Sequence, residues 1–161
     1  MKKAFNMIVS QVDDGLIGLV MTQHEASVLK WLLTQIGGYN DCVYFQDLDK
    51  IYEAMRALNI PDNNMDCTCK TQPVFDGHRT DSPVVHATMV DDNVIMVLTE
   101  QQAATLKIVC GSVGTINYEH PIRAVTRPCY FALDKLSTLD KAAQDALEHC
   151  TGEFTFAAPN Q

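Results

Sequence analysis

Thr22-Gln23-His24-Glu25-Ala26-Ser27-Val28-Leu29-Lys30 is answered 77 positions later by Thr99-Glu100-Gln101-Gln102-Ala103-Ala104-Thr105-Leu106-Lys107, with Thr, Ala, Leu and Lys recurring in place. Each stretch opens with Thr-x-x-Glu or Thr-x-x-Gln, in which a hydroxyl and a carboxylate or amide satisfy each other's backbone N–H at a helix start. Ala26, Leu29, Leu33 and Ile36, like Ala103, Leu106, Cys110 and Val113, then fall on one helical face. Gly37-Gly38 and Gly114 follow as expected stops, because glycine takes the left-handed C-terminal conformation at little cost. The correspondence extends outward in both directions. Val12-Asp13-Asp14-Gly15 matches Val90-Asp91-Asp92-Asn93, and Tyr52-Glu53-Ala54 matches Tyr130-Phe131-Ala132, both 78 positions apart. Matching blocks in one order point to a tandem duplication of a unit near 60 residues.

Upstream of each helix lie two apolar, β-forming runs: residues 5–12 and 16–21 in the first copy, 84–90 and 94–98 in the second. They flank Asp13-Asp14-Gly15 and Asp91-Asp92-Asn93, whose glycine and asparagine suit the positive φ of a tight hairpin. A second helix follows a loop in each copy. Leu48, Ile51, Met55 and Leu58 form its stripe in the first, with Asp47 as a cap. In the second, Pro128 suits a first-turn position and Cys129, Leu133 and Leu136 continue the stripe. The tail adds a helix over residues 139–150, capped by Ser137 or Thr138, and a closing strand at residues 153–156. The expected fold is α+β: two β-hairpin–helix–helix units related by pseudo-twofold symmetry, with helices packed on an antiparallel sheet. Residues 1–60 are the first repeat, 61–83 a polar, proline-rich connector and 84–161 the second repeat, together forming one compact domain.

The chain of 161 residues is 47% hydrophobic and 20% charged, apolar enough to fill a core. Its formal charge of −8 leaves no cationic excess for ordinary phosphate-backbone binding, so direct nucleic-acid contact is not expected. No run is long and apolar enough for a membrane span or signal peptide, and the expectation is a cytoplasmic protein. Reduced thiols are then expected for Cys42, Cys67, Cys69, Cys110, Cys129 and Cys150. The one-residue spacing of Cys67 and Cys69 is tighter than zinc sites use, and neither a metal nor a cofactor is expected.

The repeated pattern of Thr-x-x-(Glu/Gln)-Ala, a spaced leucine, (Ile/Val)-Gly, a loop and then Tyr-x-Ala resembles a helical module of small bacteriophage accessory proteins. In that module arginines often precede the second helix. Arg123 and Arg127 match this feature, whereas residues 41–50 contain no arginine. The resemblance implies an accessory protein acting in the bacterial host cytoplasm and carries no chemistry of its own.

The functional expectation is a non-catalytic protein that binds and inhibits or modulates a host protein, one serving defence for example. Unpaired sheet edges favour a homodimer besides. Trp31, Asp41, Asp47 and Asp49 are the candidate partner-binding residues; Trp31, whose counterpart is Ile108, also reads as core. The alternative is a protein that sequesters a nucleotide-like ligand. Arg123 and Arg127, with His120 and Tyr118, would then form an anion pocket, since guanidinium groups pair bidentately with phosphate. A third reading rests on His86-Ala87-Thr88, which resembles the His-x-Thr motif of two-histidine phosphoesterases. Symmetry would demand a second histidine at position 8, which is Ile8.

Overall fold

In the computed structural model, residues 8–11, 15–38, 42–64, 74–76, 81–115, 121–151 and 154–156 are described. The chain runs β1 (Ile8–Gln11), β2 (Leu16–Thr22), α1 (Gln23–Leu33), β3 (Gly37–Gly38), α2 (Val43–Ala57), β4 (Val74–Phe75), β5 (His86–Val90), β6 (Asn93–Thr99), α3 (Glu100–Gly111), β7 (Val113–Thr115), α4 (Arg123–Asp134), α5 (Asp140–Glu148), β8 (Cys150–Thr151) and β9 (Phe154–Phe156). A 3-10 turn, Ser137–Leu139, precedes α5.

The largest sheet is antiparallel, with strand order β1-β2-β6-β5. Its central ladder runs from Leu16 opposite Thr99 to Thr22 opposite Asn93, with Leu19 opposite Met96 at the middle. Ile17, Leu19, Met21, Val94, Met96 and Leu98 alternate along β2 and β6 toward the helices, and all are almost completely buried. The hairpin between β5 and β6 turns on Asp91 (φ 49°) and Asp92 (φ 69°), the two left-handed residues of a type I′ turn. Asn93, expected in that turn, already belongs to β6, because two residues suffice to reverse the strands.

Both capping boxes are formed. The N–H of Glu25 donates to Thr22 Oγ1 (3.1 Å) and that of Thr22 to Glu25 Oε1 (2.8 Å). The N–H of Gln102 donates to Thr99 Oγ1 (3.0 Å) and that of Thr99 to Gln102 Oε1 (2.9 Å). The expected glycine stops are not used. Helix α1 ends at Leu33, where the Thr34 hydroxyl donates to the Trp31 carbonyl (2.6 Å). Helix α3 ends where the Ser112 hydroxyl donates to Ile108 (2.7 Å). A hydroxyl bonded back to a carbonyl stands at each helix end, and Gly37, Gly38 and Gly114 enter strands instead.

The stretch 61–83 does more than connect. Its β4 pairs in parallel with β3 and antiparallel with β8, tying the first half of the chain to the tail. Strand β7 pairs in parallel with β9. Helices α1 and α3 lie between the sheet and the outer helices, and α1 is buried from Glu25 to Leu33. Two further boundaries differ from the expectation. Pro128 lies inside α4 rather than in its first turn, and Ser137 and Thr138 lie in the 3-10 turn without capping α5. Among the described residues no helix is long and apolar enough to cross a membrane.

Candidate functional site

Two clefts flank the central helices at matching places. The first, about 200 Å³, is lined by Leu33, Thr34, Ile36, Phe45, Leu48, Asp49 and Tyr52. The second, about 340 Å³, is lined by Cys110, Gly111, Val113, Arg123, Thr126, Arg127, Tyr130 and Phe131. Every residue lining the first lies 77 or 78 positions before one lining the second. The walls agree in kind: the end of a central helix on one side and a tyrosine-bearing outer helix on the other. The polar groups differ. Phe45, Leu48 and Asp49 stand where the second cleft has Arg123, Thr126 and Arg127.

The arginines were expected in a loop ahead of a helix; they lie in α4 itself, four residues apart and on one face. The helix starts earlier than Pro128 suggested because Val125, Cys129 and Leu133 already bury an apolar stripe from its first turn. Arg127 is exposed and its guanidinium lies 5.6 Å from the Phe131 ring centroid. The floor is tight at Gly111, where a Cβ would come within 2.8 Å of Tyr130 Cε1. Below it, Cys110 and Cys129 lie in the core, and their mutual hydrogen bond, together with burial, holds the Cys110 thiol well above the usual thiol range.

Behind each cleft a buried lysine lies against the same tyrosine. Lys30 Nζ sits 4.4 Å from the Tyr52 ring centroid and pairs with Asp62, which also accepts from Tyr52 Oη (3.3 Å). Lys107 Nζ sits 5.7 Å from the Tyr130 centroid and pairs with Asp134 (2.9 Å) and Asp140 (4.0 Å). Sequence reading registered the recurring lysines as repeat markers and missed their aspartates. Asp62 and Asp140, 78 positions apart, were the available signal.

Asp47 is not a helix cap and not part of an acidic surface. It points from the interior of α2 into the core, 1% exposed, and accepts from Thr105 Oγ1 (2.8 Å) and Gln101 Nε2 (3.1 Å) of α3. Burial pushes its carboxyl above the usual range, while hydrogen bonds from Ser82, Gln101 and Thr105 pull the other way. Gln102 extends the network, donating to Ser82 Oγ (2.9 Å) and the Pro83 carbonyl (2.7 Å). Trp31 is also inside the protein, buried in the core, so its indole is not an exposed anchor. Asp49 is exposed at the rim of the first cleft. Asp41, Tyr118 and His120 lie outside the described residues, as do Cys67, Cys69 and His78.

The other feature able to engage a partner is the sheet itself. On the face turned away from the helices, Leu16, Val20, Ile95 and Val97 are only half-buried. Edge strand β5 extends this face with His86, Thr88 and Val90 and is exposed along almost its whole length. His86 sits on that edge; β1, which carries Ile8, is the opposite edge, three ladders or roughly 14 Å away. The motif His86-Ala87-Thr88 therefore stands at the rim of the sheet, not against its counterpart strand. A cavity of about 620 Å³ lies between the starts of α1 and α4 and the β5–β6 turn. Its Gln23 and Asp92 bond each other (3.2 Å) and its Glu25 is engaged in the capping box. Compared with protein-family profiles, curated protein sequences and solved structures, the chain matches none.

Proposed function

We propose that the chain is a phage-type accessory protein that acts by binding a host protein rather than by catalysis, using the open face of the four-stranded sheet and its β5 edge. The observation that carries this reading is the one-sided placement of the helices. They seal Ile17, Leu19 and Met21 from solvent and leave Val20, Ile95 and Val97 on the far face, continuous with an edge strand that has no charged residue. An edge of that kind offers a partner strand a row of backbone donors and acceptors, and the apolar face adds side-chain contact.

The proposal includes the two-unit organisation. It is supported by the meeting of Leu19 and Met96, 77 positions apart, at the centre of the β2–β6 ladder, where equivalent residues must meet if a twofold axis passes between the units. The position-by-position match of the two clefts supports it independently.

Affinity capture from bacterial lysate tests the binding role, comparing the natural sequence with Ile95→Glu and Thr88→Lys variants whose folding is verified by circular dichroism. The expected result is a host protein retained by the natural sequence and lost by both variants. Capture that is unchanged by the two substitutions, or no reproducible capture, refutes the assignment of this surface.

A further inference from the structure

The matching clefts provide an internal control for what the second one contains. Leu33, Thr34, Ile36 and Tyr52 of the first cleft correspond to Cys110, Gly111, Val113 and Tyr130 of the second. The first cleft closes its remaining wall with Phe45, Leu48 and Asp49, so this scaffold packs without any guanidinium group at those places.

A helix N-terminus carries partial positive charge and favours acidic residues. The first turns of α2 and α4 both lack one and neither helix has a side-chain cap, but only α4 begins on an arginine. Arg123 and Arg127 add like charges four residues apart, a spacing that repels on a helix. Departures from helix rules concentrate where function is placed. The side of α4 that bears both arginines lines a cavity of about 340 Å³, the size class of small-ligand pockets. Its described lining supplies the Thr126 hydroxyl and the Tyr130 and Phe131 rings and contains no carboxylate, while the first cleft has Asp49 in place of Arg127.

We propose that the cleft between α3 and α4 binds the phosphate group of a small ligand through Arg123 and Arg127, and that the first cleft does not. Guanidinium groups bind phosphate oxygens in a bidentate fork, and the flanking rings accommodate an attached flat group. The site is separate from the sheet surface assigned to a protein partner, and either assignment stands without the other.

Isothermal titration calorimetry with inorganic phosphate and with AMP tests the proposal on the full chain. The comparison variant combines Arg123→Phe with Arg127→Asp, giving the second cleft residues that the first already accommodates. Binding of at least one probe by the natural sequence, weakened at least about tenfold in this variant with an unchanged thermal midpoint, is the expected result. Should the double variant not fold, Arg127→Asp alone, at an exposed position, is read the same way. No heat of binding with either probe at concentrations up to about 10 mM overturns the proposal, as does an affinity that the substitutions leave unchanged.

Discussion

Replacing Asp47 with alanine should unfold the α2–α3 junction at a far lower temperature than replacing it with asparagine. In the folded chain its Oδ2 accepts from Thr105 and Gln101, and the Ser82 hydroxyl is also held by this carboxyl. Alanine leaves these donors facing apolar surroundings, and Thr105 is fully buried, so water cannot replace the lost acceptor at that point. Each of the two buried hydroxyl donors, Thr105 and Ser82, costs about 1–3 kcal/mol when stranded, and with the partial offset from no longer burying a carboxylate the net loss is about 2–4 kcal/mol. For a chain of this length the thermal midpoint should fall by roughly 4–16 °C. Asparagine keeps a carbonyl oxygen in place without the charge and should cost less than about 1 kcal/mol at pH 7. The pH dependence separates the two roles. Because the carboxyl is raised in the folded state, the folded chain binds this proton more tightly than the unfolded one. Its contribution is therefore fully present below the ordinary value of 3.8 and is lost as pH rises through the raised folded value. Urea unfolding followed by circular dichroism at several pH values between 4 and 7 should show Asp47→Asn gaining on the natural sequence as pH rises. An alanine variant within about 0.5 kcal/mol of the natural protein, or an asparagine variant as damaged as alanine at every pH, would refute the argument.

Three further substitutions read other parts of the fold. Gly111→Ala puts a Cβ at 2.8 Å from Tyr130 and should cost about 1–3 kcal/mol by chemical denaturation; a neutral result would show that the ring gives way freely. Lys30→Ala and Lys107→Ala should each lose about 2–3 kcal/mol, because the buried lysine stems pack against Tyr52 and Tyr130 while their aspartates remain partly solvated. Methionine at either position should restore stability to within about 1 kcal/mol, and failure to do so would assign the loss to the ion pair. At the β5–β6 turn, Asp92→Gly removes the strain of a left-handed aspartate (φ 69°) and should stabilise by up to about 1 kcal/mol in a thermal melt, whereas Asp92→Val should destabilise.

Local chemistry made part of this fold readable and long-range pairing withheld the rest. Thr22 and Thr99 announced both central helices because a capping box is completed within four residues. Asp91 and Asp92 announced the second hairpin for the same reason, although the turn needed only those two residues. Strand β4 was unreadable: Val74-Phe75 is two residues long, and its partners β3 and β8 lie far from it in sequence. Asp47 was misread because a carboxylate ahead of an apolar stripe resembles a cap. Only the tertiary arrangement shows that α3 brings Gln101 and Thr105 against it. For the candidate site, sequence reading selected Arg123 and Arg127 but placed them in a loop; the cleft wall opposite them comes from α3, which no local pattern reveals.

Setting the clefts side by side separates what this scaffold needs from what it tolerates. Lys30 and Lys107, Tyr52 and Tyr130, and Asp62 and Asp140 recur at offsets of 77 or 78, and in both places the lysine lies near the tyrosine ring and an aspartate. A buried lysine has a large desolvation cost, so two of them persist where the surrounding aspartates and rings compensate it, and both are structural by that measure. Phe45 and Arg123, Leu48 and Thr126, and Asp49 and Arg127 line the two clefts at positions 78 residues apart and differ in chemistry. Each cleft closes around its own set. Where the first cleft has Asp49 the second has Arg127, so in a chain whose formal charge is −8 the described lining of the second cleft holds two guanidinium groups and no carboxylate, the contrast on which the phosphate titration bears.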